Sequence, residues 1–190
     1  MTRGRLEAFS DAVIAILMTI MVLELRAPDE PNLASLRPLL PVFFAYALSF
    51  VFLGIYWNNH HHMFTTVERV NGRVLWANLH LLFWLSLFPL TTAWMGENHF
   101  DPVPAAWYGG VSLMAALAYY ILQNSIINAQ GPGSKLAEAI GSDMKGKISP
   151  ALYLAGIVSA SFSKWVSVGF YVVVAVIWFV PDRRIESTVD

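Results

Sequence analysis

Residues 38–67 read PLLPVFFAYALSFVFLGIYWNNHHHMFTTV, 30 consecutive positions without Asp, Glu, Lys or Arg. A helix needs roughly 20 apolar residues to cross the hydrocarbon core of a bilayer, and this stretch exceeds that length. Inside hydrocarbon every backbone polar group must be paired within its own segment, so such a run is expected to be helical. Working outward, charge-free runs recur at 74–96 (23 residues), 102–134 (33), 148–163 (16) and 165–181 (17). A shorter run at 12–23 extends to Leu25 if Glu24 lies at an interface. The expected fold class is therefore all-α: a polytopic membrane protein forming one unit over 1–190, with six transmembrane helices at about 5–25, 39–63, 73–94, 105–128, 148–162 and 165–181.

Composition agrees with this reading. Of 190 residues, 56% are hydrophobic and 13% charged, with a mean hydropathy of +0.53; the charged share is about half that of an ordinary soluble domain. The absence of cysteine excludes disulfides, thiolate metal sites and cysteine nucleophiles. A net charge of −1 gives no basis for nucleic-acid binding. Prolines mark most of the gaps between runs. Pro41 is expected in the first turn of the second helix, and Pro89 is expected to kink the third. The first run passes into Glu24-Leu25-Arg26-Ala27-Pro28 without a small-x-small cleavage site, so it is read as a retained helix. Lys164 separates the last two runs. It marks either a tight hairpin between two spanning helices or a re-entrant pair, and two spanning helices are the favoured reading.

Six helices place both termini on one side. On that side lie Arg3, Arg5, Arg69, Arg73, Lys135, Lys145, Lys147, Arg183 and Arg184; on the other lie Arg26, Arg37 and Lys164. Nine against three satisfies the positive-inside rule with the termini cytoplasmic. The expected location is the cell inner (plasma) membrane.

Polar residues within apolar helices carry the functional information, because burying them is costly. Ser10 and Asp11 lie at the inner end of helix 1. Asn58, Asn59, His60, His61 and His62 lie at the inner end of helix 2. Trp76, Asn78 and His80 open helix 3 on the same side. Topology thus gathers three clusters at one depth, where they can form one hydrogen-bonded network. The alternative is plain interfacial solvation, most applicable to Asn59 and His62. Consecutive histidines diverge by about 100° on a helix and cannot converge on one ion, so no metal is expected. His60, His61 and His80 are candidate pH sensors instead. Glu24, Glu97 and Asp101 fall at the outer face, either simply solvated or attracting cations. No phosphate loop, HExxH or GxSxG is present, and no enzyme activity or cofactor is expected. On helix 1, Ile16, Thr19, Ile20 and Leu23 fall at i, i+3, i+4 and i+7, one helical stripe. Periodicity alone leaves this stripe as either a packing face or a pore wall.

Arg5-Leu6-Glu7-Ala8-Phe9-Ser10-Asp11 resembles the RxxxFSD signature of the transmembrane protein 175 family of potassium channels, and Ala15-Ile16 and Thr19 fit its continuation. Tyr56-Trp57-Asn58-Asn59-His60-His61-His62, with Trp76, Asn78 and His80, resembles the bacterial branch. The resemblance implies a homotetramer with helix 1 lining the central pore, since a second RxxxFSD is absent. It implies a constriction at Ile16 with further apolar layers at Ile20 and Leu23. It implies that Thr19 bears on potassium selectivity, and that Arg5, Ser10 and Asp11 hold the pore helix through helices 2 and 3, with Phe9 in the same motif. The expected partners are the lipid bilayer and monovalent cations, K⁺ being the permeant ion. Such a pore gates by excluding water from an apolar ring. Two readings compete with it: a proton leak or secondary transporter using Asp11 and the histidines, and a non-conducting membrane structural protein. Asp11 sits near a helix end, whereas transporter sites usually lie at the bilayer midplane.

Overall fold

In the computed structural model, apolar runs become helices and their prolines decide where the helices start. The structure describes residues 2–67, 70–131, 133–140 and 143–179. It contains α1 (Arg3–Ile20), α2 (Leu40–Thr65), α3 (Gly72–Leu85), α4 (Phe88–Glu97), α5 (Pro102–Gln130), α6 (Lys135–Ile140), α7 (Met144–Ser159) and α8 (Lys164–Phe179). No strand occurs among the described residues. Among the described residues four spans are long and apolar enough to cross a membrane: Arg3–Glu24, Leu33–Thr65, Gly72–Glu97 and Pro102–Gln130. The chain is a multi-pass membrane protein. The last two helices have 16 residues each.

Several boundaries differ from the sequence expectation for identifiable reasons. Helix 1 ends as α-helix at Ile20 and tightens into a 3-10 turn, Met21–Glu24. The expected kink at Pro89 is a full break. Proline lacks an N–H and crowds the carbonyl four residues back, which is Leu85, the last residue of α3. The chain turns at Ser86 and Leu87 and restarts with Pro89 in the first turn of α4. Pro41 occupies the first turn of α2, as expected. Pro102 and Pro104 lie inside the start of α5, where a missing N–H costs nothing. Helix α7 begins before Ile148: Asp143 caps it by accepting from the Gly146 N–H, and Pro150 is accommodated within it. The short α6 interrupts what reads in sequence as a loop. Arg69, Arg183 and Arg184 lie outside the described residues.

The first three spans, α1, α2 and α3 with α4, run back and forth, so the start of α1 meets the end of α2 and the start of α3. At the opposite end Met21 lies beside Thr92 of α4, whose hydroxyl pairs with Ser49 at 2.6 Å; Ser49 in turn donates to Tyr108 at 3.0 Å. Lys164, at the start of α8, donates to the His99 carbonyl at 2.8 Å and lies 3.7 Å from Asp101. That pins the turn between α7 and α8 to the loop between α4 and α5.

Glycine sets the closest approaches. A Cβ on Gly109 or Gly156 would strike the ring of Tyr171. Tyr171 of α8 therefore fills a groove between α5 and α7 that only small residues leave open. Its hydroxyl donates to the Ala105 carbonyl at 3.0 Å. Gly96 similarly lets α4 lie against α2: a Cβ there would sit 2.8 Å from the Val42 Cα. Around this seam Phe52, Phe88, Tyr108 and Tyr153 pack at ring distances near 6 Å, in the tilted and edge-on geometries that aromatic quadrupoles favour.

Candidate pore helix and its anchoring network

Helix α1 has two faces. Leu6, Ser10, Ile14, Leu17 and Met21 are buried against the rest of the chain. The other face is left open by the chain itself: Ile16 is 55% exposed, Ile20 42% and Leu23 75%. Ala12, Ala15 and Thr19 share that open face. Thr19 donates its hydroxyl hydrogen within the helix, to Ala15 and Ile16 carbonyls at 3.1 and 2.9 Å. The oxygen lone pairs remain directed away from those bonds.

The buried face is anchored by a chain of three side chains from three helices. Asn78 of α3 donates through Nδ2 to Ser10 Oγ of α1 at 2.9 Å, and Asn78 Oδ1 lies 2.8 Å from His60 Nε2 of α2. All three residues are fully buried. The proton directions follow from the end of the chain. Ser10 donates to the Leu6 carbonyl at 2.9 Å, which can only accept. Ser10 therefore accepts from the Asn78 amide, Asn78 presents its oxygen to His60, and His60 donates through Nε2. The neutral ring then carries an acceptor at Nδ1, which is buried without a partner among the described residues. His60 stacks on Phe64, centroids 4.3 Å apart.

The other expected network members are placed differently. His61 reaches Glu7 of α1, Nδ1 to Oε1 at 3.0 Å, and Arg3 lies 3.7 Å from the same carboxylate. Arg3 also donates to the Thr65 carbonyl at 3.1 Å. His80 turns away: its Nε2 accepts from Trp84 of its own helix at 2.9 Å. Asn59 donates to the Ile55 carbonyl, and the Asn59 carbonyl accepts from Tyr119 at 3.3 Å. Arg5, Asn58 and Trp76 make no side-chain hydrogen bond among the described residues. Trp76 is 74% exposed and Phe9 46%. Asp11 Oδ1 is buried and has no hydrogen-bond partner among the described residues. Glu7 and Arg3 were not singled out by the sequence, although an arginine and a glutamate four residues apart are a readable helical pair.

A family model described as endosomal/lysosomal potassium channel TMEM175 matches residues 5–89, the segment that carries this network. A potassium channel of Chryseobacterium sp. (strain P1-3) is 56% identical over 188 residues, covering 99% of this chain and 98% of that protein. The chain belongs to the TMEM175 family. The crystal structure of a lysosomal potassium-selective channel TMEM175 homolog from Chamaesiphon minutus superposes with a TM-score of 0.83 at 30% identity, over 95% of this chain and 97% of that one. A mouse relative described as an endosomal/lysosomal proton channel is 29% identical over 115 residues, 52% of this chain and 23% of the mouse protein. The TMEM175 family comprises ion channels, which are not enzymes.

Proposed function

We propose that this chain is one subunit of a potassium-permeable cation channel, built as a single unit of six membrane-crossing segments (α1, α2, α3 with α4, α5, α7 and α8) of which four copies surround a central pore lined by α1. The observation that carries the proposal is the division of α1. One face is fixed to α2 and α3 by the buried Ser10–Asn78–His60 chain. The opposite apolar face, with Ile16, Ile20 and Leu23, is uncovered by its own subunit. Four such faces around an axis give apolar rings, which hold a pore closed by excluding water and conduct when dilated. Ile16 forms the constriction, with Ile20 and Leu23 as further layers. Thr19 lies one turn beyond Ile16, and its lone pairs offer a partly dehydrated K⁺ an oxygen in place of lost water. The subunit lies in the inner membrane with its termini cytoplasmic, the side that carries nine of the twelve basic residues. Asp11 finds its partner in the assembled channel.

The buried chain also argues against a proton relay along this route. It ends at the Leu6 carbonyl, which accepts a hydrogen bond and has no proton to pass on. The arrangement fixes helices rather than carrying charge.

Recording from the purified protein in planar bilayers under a K⁺/Na⁺ bi-ionic gradient tests the reading. Stepwise unitary currents with a reversal potential displaced toward K⁺ are expected. Ile16→Asn places an amide in the ring and raises conductance. Unaltered currents in that variant remove Ile16 from the pore, and silence of the wild-type protein returns the structural alternative.

A further inference from the structure

Away from α1, each subunit contains a cavity between the inner halves of α2, α5, α7 and α8. About 40 Å³ of it is open to water centres, well above the minimum that admits a water. A sphere of that centre volume has a radius of about 2 Å; adding a 1.4 Å probe gives about 3.5 Å, the size of a tetramethylammonium ion.

The wall is rich in aromatic rings and carries one charge among the described residues. Tyr56, Tyr119, Tyr153 and Trp178 line it, and Asp143 is the charged side chain on it among the described residues. Tyr119 stands edge-on to Tyr56 at 61° and to Trp178 at 72°, with centroids 6.1 and 6.3 Å apart. Rings set across one another in this way form the sides of a box. Tyr120, also on the wall, is half exposed, so the cavity reaches the surface there.

The hydrogen-bond inventory specifies what is missing. Trp178 already donates to Ser149 at 2.8 Å, Gln123 to Asp143 at 3.3 Å, and Tyr119 to the Asn59 carbonyl. Ser149 donates to the Lys145 carbonyl. Among the described residues the Asp143 carboxylate accepts two bonds, from Gln123 and from the Gly146 N–H at 3.0 Å, whereas a carboxylate accepts about four. The Tyr56 and Tyr153 hydroxyls, on side chains 8% and 2% exposed, have no hydrogen-bond partner among the described residues. A half-used carboxylate among aromatic rings is complementary to a cation with an apolar surface.

We propose that this cavity is a binding site for a small organic ammonium ion, held by the aromatic walls and neutralised by Asp143. The site is separate from the pore and does not depend on the pore reading. It gives each subunit a place where an amine stabilises the packing of α7 and α8 on α2 and α5.

The test uses the full chain in detergent at constant ionic strength. Thermal unfolding is followed against tetramethylammonium chloride, with KCl and neutral tert-butanol as controls. A saturable rise in midpoint with tetramethylammonium alone is expected. Asp143→Asn keeps an oxygen to cap α7 while removing the charge, and it should weaken the effect at least about tenfold. Ile16→Asn, which alters the proposed pore ring, should leave the effect unchanged. The proposal is overturned by an equal response to tert-butanol, by a full response in Asp143→Asn, by loss of response in Ile16→Asn, or by no response at all, which would leave a cavity holding water only. If Asp143→Asn yields no folded protein, the charged-against-neutral comparison in the wild type decides the matter.

Discussion

Replacing Asn78 with leucine should destabilise the subunit by about 2–4 kcal/mol, for two reasons that add. Two interhelical hydrogen bonds are lost, at 2.8 and 2.9 Å. Such bonds average about 0.6 kcal/mol each in membrane proteins, with a maximum near 1.7. The greater cost comes from the group left behind. Leucine has the same branched skeleton and somewhat greater bulk, so no cavity opens, but the His60 Nε2–H is stranded in a fully buried position. An unsatisfied buried donor costs about 1–3 kcal/mol. Ser10 is spared because it keeps its bond to the Leu6 carbonyl. At about 2–4 °C per kcal/mol for a chain of this size, a loss near 3 kcal/mol lowers the unfolding midpoint by about 6–12 °C. The assay is thermal unfolding of purified protein followed by fluorescence-detected size exclusion. A double-mutant cycle with Ser10→Ala sharpens it, since both variants remove one shared bond; the double variant should lose less than the sum by about 0.6–1.7 kcal/mol. A midpoint within about 2 °C of wild type, or strict additivity in the cycle, would refute the claim that this chain holds α1 to α2 and α3.

Other perturbations probe other contacts. Gly109→Val forces Tyr171 out of its groove and should cost about 1–3 kcal/mol or more; recovery in Gly109→Val/Tyr171→Ala would assign the loss to that clash. Tyr171→Phe alone removes the bond to the Ala105 carbonyl and should cost about 1 kcal/mol in the same unfolding assay. Glu7→Gln weakens its pairs with Arg3 and His61, whose side chains are 43% and 47% exposed; the stability change should stay below about 1 kcal/mol. Asp11→Asn should lower the yield of assembled oligomer on size exclusion while leaving the K⁺/Na⁺ reversal potential unchanged; altered selectivity with normal assembly would contradict an assembly role.

What could be read in the sequence was what depends on chain length and charge. Runs without Asp, Glu, Lys or Arg located the helices, because hydrocarbon admits no unpaired charge or backbone. Chain direction then put Ser10, Asn78 and the histidines at one end. Helix phase could not be read in α2. An amphipathic helix announces its buried side, but residues 42–57 are apolar on nearly every side. Nothing there says that His60, rather than His61 or His62, turns inward with Phe52, Tyr56 and Met63. The structure settles this by packing, and with it the divergent fates of three adjacent rings: His60 to Asn78, His61 to Glu7, His62 to neither.

Proline was legible at some positions and not at another for a related reason. Pro41, Pro89 and Pro102 all fall within a first turn, where the absent N–H has no helical partner to lose. Pro150 looks identical in sequence but lies inside α7. The difference is Asp143, which starts the helix about one turn earlier by capping the Gly146 N–H from a left-handed backbone conformation, φ 39°. The residue that moves this boundary is thus the one whose remaining carboxylate capacity faces the aromatic cavity. Extending α7 by these residues brings Asp143 to Gln123 and adds Gly146 to the cavity wall beside Ser149, which Trp178 bonds. A helix beginning at Ile148 would leave Asp143 in a loop and the aromatic box open on that side.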